Sequence, residues 1–184
     1  FIGLPERVKL YQLDSKQKYI FSIRNPIERY LSAFTARKKK SNIWSKEYYS
    51  IEGIGFYFYN DANILAEDLY SRNIIKIFKS RICMRCIPII NENIFTWFTV
   101  KDLKKNPPLF IFETSTINED WKNFSIKFNF DENDIIKNID MRNKTLDKKD
   151  KLSELAKINL KRYYEKDFEI YKYCLKFKNL YSFF

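Results

Sequence analysis

The sequence predicts an α/β fold in which a parallel sheet is flanked by helices, and three observations carry that expectation. The run Tyr19-Ile-Phe-Ser-Ile23 is built of aromatic and β-branched residues, stops at Arg24-Asn-Pro26 and passes at once into a helical pattern with Ile27, Tyr30, Leu31 and Phe34 on one face. A second run, Leu109-Phe-Ile-Phe112, follows the stop Asn106-Pro-Pro108 and is wholly apolar, as suits a strand covered on both faces. Strands that alternate with helices imply a parallel sheet with helices on both sides. The 184 residues, 45% of them hydrophobic, suffice for one such domain with a sizeable core and are too few for two ordinary ones.

Taken in order, Phe1 to Lys18 offers only a weak strand through Val8, Leu10 and Leu13. After the strand Tyr19–Ile23, Pro26 suits the first turn of a helix, where its missing N–H is no loss, and it drives Asn25 out of the α region, so the corner is sharp. That helix should run to about Arg37, with the basic run Arg37-Lys-Lys-Lys40 as a solvated helix end in harmony with the dipole. The stretch from Ser41 to Asn60, with Gly53 and Gly55, reads as an irregular segment over the active face. Asp61 is a candidate N-cap for a helical pattern from Ala62 to Lys79 that breaks near Arg72-Asn73. Pro88 prevents a continuous helix from Arg81 to Glu92, and Ile94 to Val100 fits a strand or a short helix equally well. Asn118 should cap a helix through about Phe128. The polar stretch Asp131 to Asp150 follows, and a last helix spans Leu152 to about Leu175.

The formal net charge of +11 favours polyanionic partners: nucleic acid, an anionic membrane surface, an acidic glycan or a nucleotide. Cys83, Cys86 and Cys174 are too few and too unevenly placed for a disulfide framework. Cys83-Met-Arg-Cys86 has the spacing of half a zinc site. A full site needs four ligands, and the chain has no histidine and no second cysteine pair, so no metal is expected. Reduced, partly buried thiols are the expectation. No apolar run is long enough to span a bilayer.

The candidate binding residues lie at the corner after the first main strand. Arg24 stands at the carboxyl end of a strand and Ser32 two turns along the next helix, so an anion beside the corner would meet a guanidinium fork, a hydroxyl and a helix N-terminus. In open α/β sheets ligands sit beyond the carboxyl ends of the strands, where Glu113-Thr114 also falls.

The pattern Phe21-Ser-Ile-Arg24-Asn-Pro-Ile-Glu-Arg29-Tyr-Leu-Ser32-Ala-Phe34 resembles the 3′-phosphate motif of sulfotransferases, and is most similar to the carbohydrate-type group that includes uronyl 2-O-sulfotransferases and bacterial relatives. Further similar segments are Trp44-Ser45, Met84-Arg-Cys-Ile87 through Trp97-Phe98, Asn106 to Glu113, Asn118-Glu-Asp-Trp121 and Lys151 to Tyr173. The resemblance thus covers roughly Tyr19 to Tyr173. It implies a P-loop-like three-layer sandwich in a single domain over residues 1–184. It also implies the donor PAPS (3′-phosphoadenosine 5′-phosphosulfate) as cofactor, a membrane or cell-envelope glycan or other carbohydrate as acceptor, and no specific nucleic acid. Arg24 and Ser32 would hold the 3′-phosphate, and Arg142, Lys144 and Thr145 would belong to a basic loop that closes over the nucleotide. The compartment implied is the cytoplasm in a bacterium and the Golgi lumen in a eukaryote.

Two departures accompany the resemblance. Family members hold the 5′-phosphosulfate in a P-loop-like turn, which Phe1 to Lys18 does not supply. As the chain begins at Phe1 and not at methionine, an N-terminally incomplete member is expected. Many relatives also carry a histidine where Ile87-Pro-Ile-Ile90 stands, which leaves Glu92 or Glu113 as candidate bases. Two other readings stand beside the enzyme: a truncated, inactive transferase remnant, and a basic binding module for RNA or acidic polysaccharide, whose 13 Tyr and 17 Phe could stack on bases.

Overall fold

The computed structural model describes residues 9, 10, 13, 17–40, 51–129 and 151–181. Helix takes up 69% of these residues, around a sheet of two parallel strands, so the fold is mixed α/β. In chain order the elements are β1 (Ile20–Ile23), α1 (Pro26–Lys40), α2 (Ile51–Phe58), α3 (Ala62–Asp68), α4 (Ile74–Cys86), α5 (Val100–Lys105), β2 (Phe110–Glu113), α6 (Ile117–Phe128), α7 (Glu154–Tyr163) and α8 (Glu165–Tyr181). Single 3-10 turns stand at Ile94–Thr96 and Thr114–Thr116. Among the described residues, no helix is long and apolar enough to cross a membrane.

The chain forms two compact units. The first gathers the described residues of 9–25, 94–129 and 166–181, and the second those of 26–40, 51–93 and 151–165.

The first unit is built on the sheet. Ile20, Phe21, Ser22 and Ile23 of β1 lie beside Phe110, Ile111, Phe112 and Glu113 of β2. Because side chains alternate across a strand, Phe21, Ile23 and Ile111 fall on one face. There they join Leu10, Leu103, Ile170 and Cys174 in a common core. The opposite face of β2 presents Phe110 and Phe112 to α6, where Phe112 lies 4.5 Å from Trp121 and Phe110 lies 5.3 Å from Phe124. The apolar run is therefore covered on both faces, as its composition predicts.

Start and stop signals explain most of the remaining helix ends in this unit. Thr99 and Asp102 form a reciprocal capping box at α5. The helix expected to be capped by Asn118 begins at Ile117 instead, since the 3-10 turn Thr114–Thr116 already winds the chain into it. It ends at Asn129, whose φ of 53° is the left-handed stop that asparagine tolerates. The short N-terminal segment gives no strand at its described residues. Leu10 enters the core and its N–H donates to Trp97 O at 3.0 Å.

The second unit is helical. Asp61 caps α3 by accepting from Ile64 N–H at 2.9 Å, and Asn73 caps α4 by accepting from Ile75 N–H at 2.9 Å, which is the break expected near Arg72-Asn73. The helix runs on to Cys86, past the expected end at Lys79, and stops two residues before Pro88. Residues 51–58 of the segment expected to be irregular form α2 instead. There Gly55 lets the backbone approach α4, because a Cβ would lie 3.0 Å from Ile87 Cγ1. Cys83 donates its S–H to Gly55 O at 3.2 Å, and burial, with Cys86 nearby, pushes its thiol up to about 12.

The single last helix expected over Leu152–Leu175 is two. Ser153 caps α7 through Ala156 N–H, and the chain leaves helical geometry at Tyr164. No glycine or proline marks that break. Tyr164 is fully buried, donates to Ile90 O at 2.8 Å and has the Arg29 guanidinium over its ring, so tertiary anchoring overrides a continuous helical pattern.

Ile89 has φ of 72°, a left-handed conformation that a β-branched side chain adopts only under strain. Ile89→Asn is expected to raise unfolding stability by about 0.5–1 kcal/mol, the relief of strain outweighing the loss of a half-buried side chain. Chemical denaturation measures it, and lower stability in the variant would show that the packing of Ile89 dominates.

Candidate functional site

The corner after β1 is built as the sequence requires: the strand ends at Ile23, Arg24 and Asn25 follow in non-helical backbone, and α1 begins at Pro26. Arg24, half-buried, belongs to the first unit. Since β1 and β2 are parallel and Ile23 lies opposite Glu113, the carboxyl ends of both strands share one edge. Thr114 fastens that edge by donating from Oγ1 to Ile23 O at 3.0 Å.

Beneath the edge lies a charged network that local sequence signals do not announce. Asp120, in the first turn of α6, accepts from Glu113 N–H at 2.6 Å and from Thr116 Oγ1 at 3.2 Å. Lys178 of α8 reaches Asp120 Oδ1 at 2.7 Å and Thr116 Oγ1 at 2.6 Å, and lies 3.6 Å from Glu113 Oε2. Tyr171, one residue type seen in the helical pattern but given no role by it, donates to Glu113 Oε1 at 2.5 Å. Burial alone would raise the Glu113 carboxyl. Hydrogen bonds from Tyr171 and Ser115, with the Lys178 charge, more than offset it and hold the group below its usual range. Glu113 is thus a carboxylate bonded to Tyr171 and beside the Lys178 charge. The sequence singled out Glu113-Thr114 at the strand end and Asp120 within Asn118-Glu-Asp-Trp121 separately; Lys178 lies 58 residues beyond Asp120, where no spacing rule links the two.

Ser32 is half-buried on α1, in the second unit. The buried face of that helix is Pro26, Tyr30, Ala33 and Phe34, and Tyr30 donates to Ala62 O at 2.7 Å. Arg37, expected to be a solvated helix end, instead clasps the buried Glu52 through one edge of its guanidinium, Nε to Oε1 at 2.6 Å and Nη2 to Oε2. The basic-loop residues Arg142, Lys144 and Thr145 lie outside the described residues. The other candidate base, Glu92, is half-buried in the second unit.

Chemically, the sheet edge places an arginine directly after a strand whose end is fixed by Thr114 and Asp120. An arginine held at such a place suits a phosphate oxygen pair better than a mobile lysine would. Comparison of the chain with protein-family models, with curated proteins and with solved structures finds no match.

Proposed function

We propose that the chain is a sulfotransferase domain that binds PAPS through its 3′-phosphate and serves sulfuryl transfer to a carbohydrate hydroxyl. The observation that carries the reading is Arg24 at the carboxyl end of a parallel strand, followed at once by a proline-started helix. This is the place where α/β sheets bind ligands. The residue types fit the group: Arg24 offers a two-donor fork for phosphate oxygens, while Ser32, Arg142, Lys144 and Thr145 enter on the sequence pattern. The two parallel strands and the helices packed on them are read as part of a P-loop-like three-layer sandwich.

In this reading PAPS supplies the sulfuryl group, and adenosine 3′,5′-bisphosphate is the other product. The chain's own contribution is positional and electrostatic. Arg24 fixes the nucleotide end remote from the reacting sulfur, so that binding energy gained there orients the reacting end. Glu113, bonded to Tyr171 and Lys178, ends the strand that pairs with the one leading into Arg24.

The test is a thermal-shift comparison of adenosine 3′,5′-bisphosphate with AMP, which lacks the 3′-phosphate. The bisphosphate at about a hundred times its Kd is expected to stabilise the protein by about 2.7 kcal/mol, with a much smaller effect from AMP. Equal shifts with both nucleotides would remove the basis of the reading.

A further inference from the structure

Independently of the sulfuryl-transfer reading, we propose that the outer face of α2 and α4 docks on an anionic lipid bilayer. The two helices lie side by side and antiparallel: Gly55 of α2 abuts Cys83 of α4 and Ile87 just after it, and towards the other end Tyr59, just past α2, donates to Lys76 O at 3.2 Å. Their inward surfaces are well used, while their outward surfaces are apolar. On α2, Ile51, Ile54 and Tyr57 are 69%, 50% and 84% exposed, and on α4, Ile74, Ile75 and Phe78 are 79%, 60% and 66% exposed. Single exposed apolar residues need no explanation, but six large ones on two adjacent helices form a patch that calls for a partner. The Lys79 ammonium lies 5.5 Å from the Phe58 ring and joins the α2 ridge to the α4 ridge.

The charge around the patch selects the partner. From Arg72 to Cys86 the chain carries Arg72, Lys76, Lys79, Arg81 and Arg85 and no acidic residue. The nearby carboxylates are turned inward, Glu52 to Arg37 and Asp68 to Tyr59 and Lys76. Apolar and aromatic side chains ringed by cations match the boundary of a bilayer with anionic headgroups, where the side chains enter the acyl edge and the cations stay with the phosphates. A second copy fits poorly, because a two-fold contact would set Arg72, Lys79, Arg81 and Arg85 of one copy against the same residues of the other, while Lys76 is already paired with Asp68. A soluble polyanion would engage the cations and leave the isoleucines and Phe78 in water.

Vesicle co-sedimentation of the full chain tests the proposal, with phosphatidylcholine vesicles against vesicles in which phosphatidylglycerol replaces about a third of the lipid. Partitioning is expected to be at least about tenfold stronger on the anionic vesicles. Ile75→Ser with Phe78→Ser should lower it about tenfold, and Lys79→Glu with Arg72→Glu by a similar factor. All four side chains are exposed, so circular dichroism and melting temperature should stay at wild-type values. Equal association with both vesicle types overturns the proposal. So does binding that the serine pair leaves intact while heparin abolishes it, which would make the face a patch for soluble polyanions. Dimerisation in vesicle-free buffer that the serine pair removes would assign the face to a second copy and overturn it too.

Discussion

Arg24→Ala is expected to weaken binding of adenosine 3′,5′-bisphosphate by about 2–5 kcal/mol, the scale for losing one member of a hydrogen-bonded charge pair. Isothermal titration on wild type and variant reads the affinity, and a melting curve on the same samples reads the fold. A phosphate ligand at a strand end moves the first quantity far more than the second. An arginine that serves the fold does the reverse, lowering the melting temperature while the nucleotide binds as before. The strand end itself should survive the substitution, because it is held by the β1–β2 ladder, by Thr114 on Ile23 O and by Asp120 on Glu113 N–H. Arg24→Lys separates charge from geometry. It keeps the positive charge and loses the planar fork, so affinity should return only in part. Affinity that is unchanged in Arg24→Ala would end the proposed role of this residue.

Local chemistry made much of the fold legible in advance. The strand into Arg24, the helix started by Pro26, the cap Asp61, and a second strand apolar on both faces all rest on signals a few residues long. What escaped depends on residues far apart in sequence. The break at Tyr164 follows from its hydroxyl on Ile90 O, 74 residues away, and α2 depends on Gly55 meeting Ile87. Arg37 read as solvated surface because its partner Glu52 lies 15 residues on, beyond any helical spacing. The candidate site divides in the same way. The strand-end position of Arg24 was readable from the turn chemistry, whereas the clamp of Asp120, Lys178 and Tyr171 under Glu113 needs three elements brought together. Arg142, Lys144 and Thr145, expected to form a basic loop, lie outside the described residues.

That clamp yields the largest expected effect on stability. Asp120 is 1% exposed, and its carboxylate satisfies the Glu113 N–H, the Thr116 hydroxyl and the Lys178 ammonium together. Asp120→Ala would leave an ammonium in a largely buried place without its main counter-charge, and would strand a backbone donor at the end of β2. Removing one partner of a buried ion pair costs about 3–5 kcal/mol, so the melting temperature should fall by about 6–20 °C for a chain of this size. Asp120→Asn should cost less, since its amide oxygen can still accept from Glu113 N–H while the charge is lost. Lys178→Met tests the converse. If the pair acts as a unit, the double variant Asp120→Asn/Lys178→Met should be more stable than the sum of the two single losses predicts, because neither charge is then left alone. Additive losses would show that the two side chains act separately. At temperatures where Asp120→Asn is folded, its nucleotide affinity should fall far less than that of Arg24→Ala, since it disturbs the support of the strand end and leaves the arginine fork in place.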